Sequence, residues 1–136
     1  SASVKVDEKI VGKIGNGFLI FLGVYEEDTE EKIEKLTKKI VNLRIFNDEN
    51  NKMNLSIKEV KGEVLLISQF TLCADTRKGN RPSFIMAKEP TDANVIYEKT
   101  IESIRNEGII VEKGIFGADM KVELLNDGPV TILLDI

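Results

Sequence analysis

Phe18-Leu19-Ile20-Phe21-Leu22-Gly23-Val24 is an apolar run broken only by Gly23. A strand with one wet face alternates apolar and polar residues, so an unbroken run marks a strand covered on both faces. Further on, Glu63-Val64-Leu65-Leu66-Ile67 begins another buried strand and leads into Ser68-Gln69-Phe70-Thr71-Leu72. Upstream of the first run, Val4 and Val6 alternate with Lys5, Asp7-Glu8-Lys9 is polar and turn-like, and Ile10 to Ile14 resumes an apolar pattern. Gly15-Asn16-Gly17 then punctuates.

Between the runs, Ile33, Leu36, Ile40 and Leu43 recur at helical spacing with charges between them. Asp28 suits the N-cap, with Glu31 three residues on as in a capping box. Asn47-Asp48-Glu49-Asn50-Asn51-Lys52 reads as a solvated loop. A second helix fits Thr91 to Glu107, with Ile96, Thr100, Ile101 and Ile104 on one face and Gly108 as its stop. Ile109 to Glu112, Met120 to Leu125 and Val130 to Leu134 read as strands. The expected fold is α+β: six or seven strands in a mostly antiparallel sheet curled toward a barrel, two helices, and hairpins at both ends.

The length of 136 residues predicts a single domain over residues 1–136. Hydrophobic residues make up 42%, enough for a core and too many for disorder. With 19 basic against 23 acidic residues the net charge is −4, which disfavours wrapping nucleic acid over the whole surface but leaves room for a local basic patch. One cysteine forbids an intrachain disulfide or a paired-cysteine site. The absence of histidine excludes Ser-His-Asp and Cys-His catalysis, histidine zinc sites and histidine general bases. No apolar run approaches the ~20 residues that span a bilayer. The first residues show neither a basic n-region nor an apolar h-region, so a cytoplasmic, reduced, soluble protein without membrane contact is expected. The chain starts without methionine, which allows for residues upstream.

Three segments could carry chemistry, and each has two readings. Ser68, Gln69 and Thr71 are either polar residues at a strand edge, with Phe70 and Leu72 in the core, or part of a cluster of backbone donors able to hold an oxyanion. Asp75-Thr76-Arg77-Lys78-Gly79-Asn80-Arg81-Pro82 is either a solvated turn or a phosphate-binding loop, with three cations against one anion. Asn126-Asp127-Gly128-Pro129-Val130-Thr131 carries the Asp-Gly signal of a hairpin, yet Pro after Gly removes a donor and admits a cis peptide. Cys73 reads as a small buried hydrophobe and not a nucleophile.

Ser68-Gln69-Phe70-Thr71-Leu72 and Asn126-Asp127-Gly128-Pro129-Val130-Thr131 resemble the two signature motifs of the D-aminoacyl-tRNA deacylases, also called D-tyrosyl-tRNA deacylases. Val41-Asn42-Leu43-Arg44-Ile45-Phe46, Asp75 to Gly79, Arg81-Pro82-Ser83-Phe84 and Phe116-Gly117-Ala118-Asp119-Met120 extend the resemblance over nearly the whole chain. One departure is that the family's first strand, which would precede Ala2-Ser3-Val4, is missing upstream of residue 1.

The resemblance implies a homodimer that hydrolyses the ester between a D-amino acid, or glycine mischarged on tRNA-Ala, and the 3′-terminal adenosine of tRNA, sparing L-aminoacyl-tRNA. It implies that Ser68, Gln69, Phe70 and Thr71 line the catalytic pocket, with N–H groups near Phe70 and Thr71 as oxyanion donors. It further implies that Phe116 and Met120 hold the adenine, that Gly128 and Pro129 reach into the partner's site as a chiral gate, and that no metal or organic cofactor is needed. Arg77, Lys78 and Arg81 are the expected phosphate contacts. Two alternatives stand beside this: a non-catalytic binder of RNA 3′ ends, and a general small-ester hydrolase using Thr71 as nucleophile.

Overall fold

The computed structural model describes all of residues 1–136. Strands β1 (Ala2–Val6) and β2 (Lys9–Ile14) form the expected N-terminal hairpin, turning through Asp7 and Glu8, both at positive φ. The apolar run becomes β3 (Gly17–Leu22), and α1 follows over Glu31–Asn42. Next come β4 (Phe46–Asn47), β5 (Met53–Leu55) and β6 (Glu63–Ser68). Helix α2 spans Pro90–Arg105, and β7 (Val111–Lys113) and β8 (Lys121–Leu124) complete the set.

β6 is the central strand, and its composition explains its place. It pairs in parallel with β3 on one side and with β7 on the other. Its Val64 and Leu66 pack with Ile40 and Val41 of α1 and with Tyr97, Ile101 and Ile104 of α2. Its Leu65 and Ile67 point the other way, against Ala2, Val4 and Ile14 of the hairpin. The period-2 alternation of a strand thus feeds two cores at once, and both faces must be apolar. Three layers result: helices, the parallel sheet β3-β6-β7, and the antiparallel sheet β2-β1-β8. The pairings β1–β2, β1–β8 and β4–β5 are antiparallel, against the parallel β3–β6 and β6–β7. The α+β class and the mostly antiparallel pairing match expectation, while no ladder joins the two three-stranded sheets into one barrel.

Three local expectations need correction, and a fourth is refined. Val130 to Leu134 forms no strand: β8 ends at Leu124, and although Leu134 packs against the helix-side core, no strand pairs with 130–134, so the C-terminal hairpin is absent. The expected solvated loop is an exposed tight turn between β4 and β5, closed by the Asp48 carboxylate accepting from the N–H groups of Asn50 and Lys52. These bonds hold the Asp48 carboxyl below its ordinary range, with the Lys52 N–H the main cause. Asp28 does not cap α1. It accepts from the Tyr25 N–H and pairs with Lys32, and Glu30 stands at the cap position without a side-chain bond. Finally, β6 stops at Ser68, and Phe70–Cys73 coil into a 3-10 turn instead of continuing as strand edge.

Candidate active site

The carboxyl ends of parallel strands are where open sheets present loops and free backbone groups to ligands. Here β3 and β6 end together at Leu22 and Ser68. The Gln69 N–H donates to the Leu22 carbonyl at 2.8 Å, the last bond tying the chain to the sheet. Gly23 lets β3 run close beneath the 3-10 turn, since a Cβ there would lie 2.9 Å from the Leu72 Cβ. Within the turn the Leu72 and Ala74 N–H groups donate to Gln69 and Thr71 carbonyls, but those of Phe70 and Thr71 have no acceptor in the chain. These are the orphan donors that open any helical turn. Two adjacent N–H groups, unspent and at the surface, are suited to a developing negative oxygen.

Side chains around the turn depart from the core reading. Phe70 is 59% exposed and Leu72 is exposed too. The Phe70 ring stands edge-on to Phe84, with centroids 4.9 Å apart. Gln69 Nε2 donates to the Thr71 hydroxyl. No carboxylate, lysine or other base bonds that hydroxyl, and a carboxamide cannot take its proton. Cys73 is fully buried, as expected, and burial pushes its thiol pKa up, with Asp28 adding to the effect.

The basic loop is tied to this turn. Asp75 and Ser83 exchange both backbone bonds, at 2.7 and 2.9 Å, closing the loop at its base directly before Phe84. Lys78 and Arg81 are exposed at its tip, and Gly79 turns there at φ +68. Arg77 is 82% exposed but not free, because its Nε and Nη2 donate to the two carboxylate oxygens of Asp75. Those bonds hold the Asp75 carboxyl down at about 2.

Phe116 and Met120 lie on the loop between β7 and β8. Phe116 is half-buried, 5.9 Å from the Tyr97 ring and against the helix-side core. Met120 is half-buried against the hairpin-side core, its sulfur filling the space a Cβ on Gly114 would need. Gly128 and Pro129 are exposed at the far end of β8, and the peptide between them is cis. No hydrogen bond links that loop to the Ser68–Thr71 turn of the same chain. The structure therefore brings together Gln69, Phe70, Thr71 and the cationic loop, without a hydrogen bond from Gly128-Pro129 to any of them.

Several contributors were not singled out by sequence. Asn126 accepts from the Val130 N–H at 2.9 Å and donates to the Thr131 hydroxyl at 3.0 Å, shaping the turn around Gly128-Pro129. Phe84 packs on Phe70 at the turn, and Tyr97 lies fully buried against Phe116 with its hydroxyl on the Leu66 carbonyl. A polar-tipped aromatic on the apolar stripe of α2 was the available signal, since buried tyrosines seek a partner for the hydroxyl.

Comparisons with known proteins agree along the whole chain. A family described as D-Tyr-tRNA(Tyr) deacylase matches residues 1–135. A D-aminoacyl-tRNA deacylase of Shewanella denitrificans is 55% identical over 136 residues, spanning 100% of this chain and 94% of that one. One from Clostridium botulinum is 54% identical over 135 residues, spanning 99% and 91%. Among solved structures, one titled "c-Myc DNA Unwinding Element Binding Protein" superposes with a TM-score of 0.92 at 39% identity, over 99% of this chain and 92% of that one. Another, titled "Structural Analysis of a probable eukaryotic D-amino acid tRNA deacylase", has a TM-score of 0.77 at 16% identity over 90% and 87%, a likeness of fold alone.

Proposed function

The chain belongs to the D-Tyr-tRNA(Tyr) deacylase family, and on that premise we propose that it hydrolyses the ester joining a D-amino acid to the 3′-terminal adenosine of tRNA. The observation that carries the reading is the pair of unbonded N–H groups at Phe70 and Thr71, beside a hydroxyl that has no base. An aminoacyl ester is already activated, so positioning and oxyanion stabilisation can supply most of the catalysis without a strong base. Water attacks the ester carbonyl, the two N–H groups bind the resulting oxyanion, and its collapse returns the electron pair and expels the ribose oxygen, which takes up a proton. Thr71 orients the substrate and forms no acyl intermediate. Arg77, Lys78 and Arg81 contact acceptor-end phosphates, and Phe116 and Met120 hold the adenine.

Sparing of L-aminoacyl-tRNA is ascribed to Gly128-Pro129. Glycine has no side chain and D side chains vary, so contacts to the side chain cannot discriminate reliably, whereas an obstacle on the L side rejects every L residue. Glycine attached to tRNA-Ala would pass the same gate. The gate is supplied by a second copy of the chain. Leu124, Leu125, Ile132 and Leu133 are exposed on both sides of Gly128-Pro129, an apolar surface that a homodimer interface would cover. The unit is a single domain over residues 1–136, acting in the cytoplasm; no helix is long and apolar enough to cross a membrane.

Incubation with matched D- and L-aminoacyl-tRNAs and with glycyl-tRNA-Ala tests the reading. Selective release from the D and glycyl substrates is expected. Binding without release would instead identify a 3′-end binder, and equal release from D and L a general esterase.

A further inference from the structure

Tyr97 interrupts the hydrogen-bond ladder of the parallel sheet at the point where the two arms of the site diverge. In that ladder the Val64 N–H donates to the Ile110 carbonyl at 2.9 Å, and Leu66 stands opposite Lys113. Continuing the alternation of a parallel pair, the Gly114 N–H should donate to the Leu66 carbonyl. That bond does not form. The Tyr97 hydroxyl donates to the Leu66 carbonyl at 2.8 Å instead, and the Gly114 N–H faces the same phenol oxygen. Tyr97 is 1% exposed. Burial pushes its pKa up to about 12, so the hydroxyl keeps its proton and remains a donor at neutral pH.

Leu66 lies two residues before Ser68, and Gly114 two residues before Phe116. Beyond the hydroxyl, β6 runs on into the oxyanion turn, and β7 leaves the sheet toward Phe116 and Met120. The Tyr97 ring also packs on Phe116. Helix α2 is latched to β7 beside this point by Glu98 with Lys113 and by Arg105 Nη2 donating to the Val111 carbonyl. We infer that Tyr97 is a positioning residue, its hydroxyl wedged between β6 and Gly114 to set the spacing of the Phe70–Thr71 donors from the Phe116–Met120 loop. This rests on the deacylase reading, in which one arm meets the ester and the other the adenosine of the same nucleotide.

Tyr97→Phe removes the wedge and keeps the ring. The two freed groups can then pair directly, drawing the Phe116 loop toward β6. Adenosine would still bind, but with the ester displaced from the donors, so kcat should fall about tenfold with KM changed less than about twofold. Amide resonances of Gly114, Phe116, Phe70 and Thr71 should shift together, with a Gly114-to-Leu66 hydrogen-bond coupling appearing. Thr100→Val is the control, because it deletes a buried hydroxyl on the same helix that bonds only the Ile96 carbonyl. If Tyr97→Phe matches Thr100→Val in kcat and in the amide spectrum, the inference is overturned.

Should Tyr97→Phe unfold at the assay temperature, it is refolded in a stabilising osmolyte. Full kcat on refolding would make Tyr97 merely structural; a folded but slow enzyme supports the wedge. If the wild type releases no amino acid from D-aminoacyl-tRNA, the functional reading fails, and the amide shifts alone decide whether the wedge couples the two arms.

Discussion

Asp75 accepts from Arg77 through both carboxylate oxygens, at 2.9 Å from Nε and 2.8 Å from Nη2, while the Arg77 backbone N–H bonds the same carboxylate at 3.0 Å. One residue thus folds the basic loop and offsets one of its charges. The Asp75 carboxyl is lowered from its ordinary 3.8 to about 2, chiefly by the Arg77 side-chain bonds. A depressed carboxylate contributes its stabilisation above the unfolded value and loses it as pH falls through the folded value. The Asp75–Arg77 pairing should therefore persist at pH 4 and be lost as pH falls through about 2, while the Asp75–Ser83 backbone bonds keep the loop closed. In an NMR titration the Asp75 midpoint should lie near 2 and rise toward 3.8 in Arg77→Ala. An unchanged midpoint would mean that the pair does not form in solution.

The same pairing ranks the cations for RNA. Lys78 and Arg81 have no carboxylate partner, so each should release a full counterion when it meets a phosphate. Replacing either with Gln should flatten the log–log salt dependence of tRNA binding by about 0.7–0.9 per lost contact. Asp75→Asn should tighten binding at low salt by unmasking Arg77. Slopes indistinguishable from wild type would leave this loop an ordinary solvated turn.

Backbone donors can be tested without chemical synthesis. Gln69, at φ −144 and ψ 82, lies outside the helical region that a following proline disfavours, and the Phe70 N–H bonds nothing in the fold. Phe70→Ala and Phe70→Pro both lose the ring, but only the latter loses the N–H. Their kcat values should differ by about 10²–10³-fold, the usual effect of one oxyanion donor. Equal rates would remove this N–H from the mechanism.

Thr71→Ala keeps its N–H and loses a hydroxyl that no base activates. Only part of the rate should vanish, about tenfold or less. Mass spectrometry after rapid quench should find no aminoacyl adduct on the wild-type enzyme. A trapped Thr71 ester would restore the nucleophile reading.

Asn126→Ala deletes both side-chain bonds that shape the Gly128-Pro129 turn. The site is exposed, so stability should change by about 1 kcal/mol or less in urea titrations. The ratio of kcat/KM for D- over L-aminoacyl-tRNA should nevertheless fall. Retained discrimination with a disordered turn would locate the gate elsewhere.

Much of this molecule was determined locally. The apolar runs at Phe18–Leu22 and Val64–Ile67 specified strands buried on both faces, because no one-sided strand could hide them. The stripes of α1 and α2 marked the helices to within a few residues, and the two signature segments named the turn and the loop. Tertiary structure decided what short-range pattern could not. Val130 to Leu134 alternates like a strand, but strand formation needs a pairing strand, and none ladders with this segment in the single chain. Phe70 and Leu72 look like core residues, yet the 3-10 turn after Ser68 exposes them because β3 and β6 end together there. Whether Arg77 is a free cation depends on a rotamer of Asp75. The Tyr97 hydroxyl met Leu66 and Gly114 only because α2 packs across the diverging strands, bringing together groups that lie 31 residues apart on one side. Composition and periodicity act over a few residues and suffice for element type; long-range partners are chosen by packing, and the orphan donors of the site are what that packing leaves unpaired.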